Sequence, residues 1–343
     1  MSIPSQSTSS FTSNLLFKTK IAGVGSFLPE KVLTNYDLEK MVETSNDWIV
    51  QRTGIERRHV IADDEGTSDL IVRAAHAALK DAHIQIQDID LILVATVTGD
   101  LRMPATACLV QNKLGARNIM AFDLNAACSG FVYGLHIADQ FIKTGVYKNI
   151  LVCGAESLTR LLNYKDRETC ILFGDAAGAF VVSRTDAHDK NTILTSHCHA
   201  EGAHAELLFI AAGGTKKPIT QEILEADGQY MTMKGKEIFK NATRTMAACC
   251  KEALHATGYK ASDLDWIVPH QANQRITEAV ANLLDFPMTK IISTVHETGN
   301  TSAASIPTAF DIAKRDGRIK RGQLILLTAF GAGLTSGSVL LRY

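Results

Sequence analysis

Three polar side chains in this sequence stand where a thiol, an imidazole and an amide could act together. Cys128 lies in Asn125-Ala-Ala-Cys-Ser-Gly130, after the strand-like run Ala121–Leu124 and before a helical pattern. A thiol at a helix N-terminus meets free backbone N–H groups and a partial positive charge, which favour the thiolate and lower its pKa. Its neighbours Ala126, Ala127, Ser129 and Gly130 are small enough to let a substrate approach. A free cysteine is most often a buried, inert small hydrophobe. That description suits Cys153, in a strand run, and Cys249 and Cys250, on a helix. Cys128 alone has the setting of a nucleophile.

His270 stands in Val268-Pro-His-Gln-Ala-Asn273, directly after a strand-like run. The carboxyl end of a strand is where α/β sheets place ligands, and a neutral imidazole there can donate to a developing oxyanion. Asn300 stands in His296-Glu-Thr-Gly-Asn-Thr-Ser-Ala-Ala-Ser305, a loop entering a helix over 303–315. Asparagine at such a turn is often only a cap, but its amide NH₂ can also hold an anionic oxygen. A glycine turn, Phe330-Gly-Ala-Gly-Leu-Thr-Ser-Gly337, closes the set, and its backbone N–H groups could form an oxyanion hole. It is not a phosphate loop, because no GKS or GKT follows and no GxGxxG opens a helix.

Short β-branched runs alternate with helical patterns and position these residues. Strands are predicted at Lys20–Gly25, Asp90–Thr96, Ile150–Gly154, Ala179–Ser183, Trp266–Val268 and Leu324–Thr328. Leu91–Ala95 and Leu324–Leu327 are apolar throughout, as strands covered on both faces should be. A helix is predicted over Thr67–Ala82, with a Thr or Ser cap and Leu70, Ala74, Ala77 and Ala78 on one face. Another is predicted over Cys128–Thr144, with Phe131, Leu135, Ala138 and Ile142 inward and Gly145 as its stop. The order is that of an α/β fold. It also repeats. Ala78–Leu79 … Asp88-Ile-Asp90-Leu-Ile92 resembles Ala253–Leu254 … Asp263-Leu-Asp265-Trp-Ile267, and 265 − 90 = 175. Ile150–Leu151 matches Ile325–Leu326 at the same offset, and 300 − 175 = 125 puts Asn300 opposite the Cys128 turn. Two duplicated halves are predicted, at 19–190 and 191–343, after a flexible Ser-rich tail over 1–18. The polar stretch Asp186–Asp227 reads as the connection and insert between them.

The 343 residues are 46% apolar and 21% charged, with a formal net charge of −1, which excludes a disordered chain and a large positive field for nucleic acid. Seven cysteines, an odd number, without CxxC or CxxC/HxxxH spacing, predict neither a disulfide framework nor a metal site. No apolar run reaches the ~20 residues of a membrane span. The first seventeen residues lack Lys, Arg and an apolar core, so they do not read as a signal peptide, and a cytoplasmic location is expected.

The stretches NDWIVQRTGIERR (46–58), AACSGF (126–131), ILFGDAAGA (171–179), VPHQAN (268–273), GNTSAAS (299–305) and DGRIKRGQLILLTAFGAG (316–333) resemble the β-ketoacyl-[acyl-carrier-protein] synthase III family of thiolase-like condensing enzymes, from about residue 19 to Tyr343. The resemblance implies a five-layered αβαβα fold, a homodimer, and initiation of fatty-acid synthesis without a metal or redox cofactor. It implies Cys128 as the acyl-accepting nucleophile, His270 and Asn300 as holders of the malonyl thioester carbonyl, and the backbone N–H groups of Cys128 and Ala332 as the oxyanion hole. Trp48 and Arg167 would sandwich the adenine of coenzyme A, with Arg52 and Arg275 near its phosphates and Gly235 and Asn273 along its pantetheine arm. Phe330 would shape the acyl pocket, and Met103 stands where a bulky phenylalanine often limits that pocket across the dimer interface. Lys240 and Arg275 would dock the acidic carrier protein, with Ala281 and Asn282 where more positive charge is common. Glu168 and Lys236 replace a common glycine and asparagine near the coenzyme. The acyl donor stays open between acetyl-CoA and a short acyl-CoA. A paralogous condensing enzyme of secondary metabolism, a catalytically dead partner subunit and a thiol hydrolase are the alternatives; the presence of Cys128 speaks against the second.

Overall fold

Runs that are apolar at every position become strands buried on both faces, and runs with a three-to-four-residue stripe become helices that cover them. The computed structural model describes residues 17–343. Its main elements are β1 (Lys18–Phe27), α1 (Asn46–Thr53), α2 (Thr67–Ala82), β2 (Leu91–Ala95), α3 (Thr106–Lys113), β3 (Met120–Leu124), α4 (Gly130–Lys143), β4 (Asn149–Ser157), β5 (Asp175–Thr185), β6 (Ile193–His199), α5 (Gly235–Thr257), β7 (Trp266–Pro269), α6 (Gln274–Leu284), α7 (Ser305–Arg315), β8 (Leu324–Gly331) and β9 (Thr335–Arg342). One mixed sheet has the order β1-β5-β4-β2-β3, and a second has β7-β8-β9-β6. In the first, β3, β2 and β4 run parallel, while β5 and β1 continue antiparallel. In the second, β7 and β8 are parallel, and β9 and β6 are antiparallel.

Apolar cores hold five layers together. Helices α2 and α3 cover the outer face of the first sheet through Leu70, Ile71, Ala74, Val94 and Val110. Helices α4 and α7 fill the space between the sheets with Phe131, Leu135, Phe310 and Ile306. Helices α5 and α6 cover the second sheet through Met246, Cys250, Val280 and Leu326. A chain of edge-to-face aromatic contacts crosses the middle: Phe131–Phe180 at 4.9 Å, Phe180–Phe310 at 5.0 Å and Phe310–Tyr343 at 5.0 Å. Each such pair contributes roughly 0.5–1.5 kcal/mol beyond its burial. These are the αβαβα layers that the resemblance implies.

The repeat has a structural basis. Helix α4 begins at Gly130 and α7 at Ser305, β4 at Asn149 and β8 at Leu324, all 175 apart (305 − 130; 324 − 149). The second aspartate of each Asp-x-Asp does the same work. Asp90 accepts from the backbone N–H of Asn149 at 3.0 Å, and Asp265 from that of Leu324 at 2.7 Å, so each ties the start of one strand to the next.

Some expectations are corrected. Helix α2 is capped by backbone at Gly66, with Asp69 accepting from the Gly66 N–H at 2.9 Å; the Thr67 and Ser68 side chains are turned to Thr98 and Asp100 instead. Ala77 faces outward, and Ala75 takes its place in the buried stripe. The stretch Asp186–Asp227 contains β6, the edge strand of the second sheet, and is not wholly a connection. The tail expected over 1–18 lies outside the described residues except for Phe17 and Lys18, and Lys18 already belongs to β1. Among the described residues no helix is long and apolar enough to cross a membrane.

Candidate active site

Two twin turns lie at the centre of the molecule. Ala127–Ser129 forms a 3-10 turn at the end of β3, before α4, and Ser302–Ala304 forms its counterpart before α7. Each begins with a residue in the left-handed region, Ala127 at φ 47° and Ser302 at φ 47°. An asparagine holds each turn from two residues upstream. The Asn125 Oδ1 accepts from the Ala127 N–H at 3.3 Å, and the Asn300 Oδ1 accepts from the Ser302 N–H at 2.8 Å. Because that bond takes the carbonyl oxygen of Asn300, its NH₂ is the end left for the cleft that Asn300 lines. Gly331, at the end of β8, passes so near that a Cβ there would lie 2.7 Å from the Cys128 backbone nitrogen, which only glycine permits.

Cys128 is buried at the junction of two cavities, a cleft of about 940 Å³ shared with His270, Asn300 and Phe330, and an apolar chamber of about 440 Å³ lined by Val97, Leu158, Leu208, Phe209 and Ile210. Its thiol is the reverse of the lowered pKa expected from a helix N-terminus. Burial pushes it up to about 12, and the charge of Glu156 adds to the rise, while a hydrogen bond with Ser302 opposes it. His270 follows Pro269 at the end of β7. Its backbone N–H is bound to Thr328 O at 2.8 Å and its Nδ1 lies 2.7 Å from the Ser305 hydroxyl. Burial holds its pKa down to about 3, so the ring is neutral near pH 7.

Glu156 was not singled out from the sequence. It lies fully buried on β4 and accepts from Thr98 Oγ1 at 2.6 Å, the Val97 N–H at 3.1 Å and Ser302 Oγ at 3.1 Å. Burial raises its pKa to about 7, against the opposing effect of these bonds. Nothing in Gly154-Ala-Glu-Ser157 marks it. Its role emerges only where β4 meets the turn 302–304, and a Cβ on Gly154 would lie 2.2 Å from Ala303 O there.

The cleft brings together all six residues assigned to coenzyme A. Trp48, Arg52, Arg167, Gly235, Asn273 and Arg275 all line it, with Glu168 and Lys236. The guanidinium of Arg52 lies 4.6 Å from the Trp48 ring centroid and that of Arg167 4.9 Å, so both cations stack on the indole. Asn273 caps α6 by accepting from the Arg275 N–H at 2.9 Å and donates to Arg52 O at 3.2 Å. Phe330 is in the wall between Cys128 and α5, and Ala332 lines the chamber on the other side of Cys128. Lys240 is exposed on α5, one turn beyond the mouth. Met103 stands apart; it is 86% exposed and lines neither cavity of its own chain.

A buried thiol, a neutral imidazole, an amide donor and glycine-fitted backbone at the foot of a cation-rimmed cleft suit acyl transfer through a covalent thioester. The 3-oxoacyl-[acyl-carrier-protein] synthase III profile matches residues 122–202, and that family's C-terminal profile matches residues 254–343. A β-ketoacyl-[acyl-carrier-protein] synthase III of Thiobacillus denitrificans is 52% identical over 329 residues, 95% of this chain and 99% of that protein. One from Alkalilimnicola ehrlichii is 50% identical over 325 residues, 94% and 99%. The crystal structure of 3-oxoacyl-[acyl-carrier-protein] synthase III from Aquifex aeolicus superposes with a TM-score of 0.87 at 48% identity, over 95% of this chain and 100% of that one. A Pseudomonas aeruginosa synthase III gives 0.88 at 40% identity, over 95% and 98%. The chain therefore belongs to the β-ketoacyl-[acyl-carrier-protein] synthase III family, the acyl-transferring condensing enzymes that initiate fatty-acid synthesis.

Proposed function

We propose that Cys128 takes an acetyl or short acyl group from acyl-coenzyme A and passes it to malonyl-acyl carrier protein, giving the 3-oxoacyl-carrier protein, coenzyme A and CO₂. The observation that carries this reading is the convergence of Cys128, His270 and Asn300 at the foot of the cleft whose mouth holds Trp48 and three arginines. Arg52 and Arg275 offer guanidinium groups to the coenzyme's phosphates, and Trp48 offers a ring face to its adenine once Arg167 swings off it. The thiol proton passes through Ser302 to Glu156, and the thiolate attacks the acyl-CoA carbonyl. The departing coenzyme thiolate takes the proton back. The cleft then accepts the malonyl-pantetheine arm. Loss of CO₂ leaves an enolate, whose oxygen receives hydrogen bonds from His270 Nε2 and Asn300 Nδ2. Ser305 donating to Nδ1 keeps the ring hydrogen on Nε2. The enolate carbon attacks the acyl-cysteine while the backbone N–H groups of Cys128 and Ala332 hold the second oxyanion. Collapse of that intermediate releases Cys128 as a thiolate, which takes a proton from solvent to return to the resting thiol. Decarboxylation itself supplies the carbanion, so the scheme needs no metal or redox cofactor.

Lys240 and Arg275, on one rim of the cleft, would receive the carrier protein's acidic face. We further infer a cytoplasmic homodimer: Met103, whose assigned place is a partner's acyl chamber, is an exposed apolar side chain, as is Leu101 two residues before it. Mass spectrometry of the intact protein mixed with acetyl-CoA tests the core of this. One acetyl adduct, mapped to Cys128 and absent from Cys128→Ala, is expected. An adduct on Cys108 or Cys153 would overturn the assignment.

A further inference from the structure

The second sheet carries a group of ligand-type side chains on its far flank, away from Cys128. His197 and His199 are two apart on the edge strand β6 and so share a face. Cys249 and Glu252 are three apart on α5 and so share a side of that helix. The packing of α5 on the sheet sets the two pairs against each other. His199 Nε2 lies 2.7 Å from Glu252 Oε2, and His197 Nδ1 lies 3.4 Å from Glu252 Oε1. The ligand atoms of His199, Cys249 and Glu252 all lie within 4.8 Å of one another. Cys249 is buried, whereas His199 and Glu252 are half-exposed, so the group is reached from solvent with its sulfur innermost.

We propose that His199, Cys249 and Glu252 bind a zinc-class divalent cation, with His197 beside them to complete a four-ligand set. Thiolate, imidazole and carboxylate together select a borderline-soft first-row dication over magnesium or calcium. Zinc–sulfur and zinc–nitrogen bonds of about 2.3 and 2.0 Å put tetrahedral ligand atoms about 3.5 Å apart. The ligand atoms, within 4.8 Å of one another here, would close to that spacing around the ion. Cys249 binds as thiolate and gives its proton to the buffer. One thiolate and one carboxylate then balance the ion's two charges, with the imidazoles neutral. The site lies outside the cysteine and histidine spacings recognisable in a sequence because a strand and a helix some fifty residues apart supply it. The ion would fasten the edge strand to the helix. Just after β6 come Ala205, Leu208, Phe209 and Ile210, which line the acyl chamber, and the start of α5 lines the cleft. A cation here therefore braces the second half of both cavities.

The test is Zn(II) titration of the chelator-stripped full-length protein against a chromophoric competitor, alongside the Co(II) absorption spectrum. One equivalent should bind, the melting temperature should rise with zinc, and Co(II) should give a thiolate-to-cobalt charge-transfer band. Cys249→Ser should abolish that band, and His199→Gln, at an exposed position that the fold tolerates, should weaken binding more than tenfold. Running the same titrations on Cys128→Ala removes binding by the active-site thiol. No saturable binding, or a band and affinity that survive both Cys249→Ser and His199→Gln, would overturn the proposal.

Discussion

Glu156 and His270 are buried ionisable groups near one thiol, and burial moves each toward its neutral form. A carboxyl whose folded pKa lies above its unfolded value contributes stability that is complete below about pH 4.5 and lost as pH rises through about 7. Glu156→Gln keeps the shape without the charge. It should raise the melting temperature at pH 8, corresponding to ~1–3 kcal/mol, and change it little at pH 4.5. The same variant should slow acylation of Cys128, measured as coenzyme A release in a single turnover, while Glu156→Asp restores part of the rate. Equal stability gains at both pH values would show that no buried charge is lost. His270, held down to about 3, should contribute no ionisation to decarboxylation between about pH 5 and 8. His270→Ala and Asn300→Ala should each lose about 10²–10³ in malonyl decarboxylation, the usual effect of removing one oxyanion donor, yet still form acyl-Cys128. Near-normal CO₂ release from either variant would end that assignment. Cys128, His270 and Asn300 were legible because each stands in a short motif at a turn, Cys128 and His270 after strands and Asn300 in a loop entering a helix. The elevated thiol pKa was not, since a helix N-terminus can be read from local spacing but burial depends on both halves of the chain.

Among elements, the twin turns depend on close backbone approach. Gly154 on β4 has its Cβ position 2.2 Å from Ala303 O, and backbone cannot move aside as a side-chain tip can. Gly154→Ala should therefore cost about 1–3 kcal/mol or more by overpacking, and should lower catalytic rate as well by shifting Ser302 and Asn300. Denaturant melts and single-turnover acylation measure both; a loss of stability with unchanged rate would mean that the turn's position is not sensitive to β4. The strands β2 and β8 could be read from sequence because burial on both faces leaves Leu91–Ala95 and Leu324–Leu327 apolar throughout. Strand β6, Ile193-Leu-Thr-Ser-His-Cys-His199, could not, because an edge strand half-open to water is largely polar and resembles a loop. The short helix caps failed for a similar reason: Thr67 and Ser68 are good caps in isolation, but Thr98 and Asp100 take their hydroxyls.

For the whole molecule, the apolar chamber beside Cys128 and the exposed Met103 belong to one question of assembly. If residue 103 closes a partner's chamber, Met103→Phe should shift kcat/KM toward acetyl-CoA and Met103→Ala should extend it to longer chains, in a graded way because one methylene is worth only ~1–3 kcal/mol. Profiles across a C2–C12 acyl-CoA series, with the mass in solution from sedimentation, test this; an unchanged profile would remove residue 103 from the pocket. The middle layer has a different consequence. Helices α4 and α7 are equivalent by the repeat, yet their apolar faces share a single core between the two sheets. Neither half could cover its own inner helix alone. Either inner helix by itself would thus leave its apolar face open to water. The two turns are nonetheless unlike in chemistry: one carries a sulfur at position 128, and its counterpart 175 residues on is Ala303.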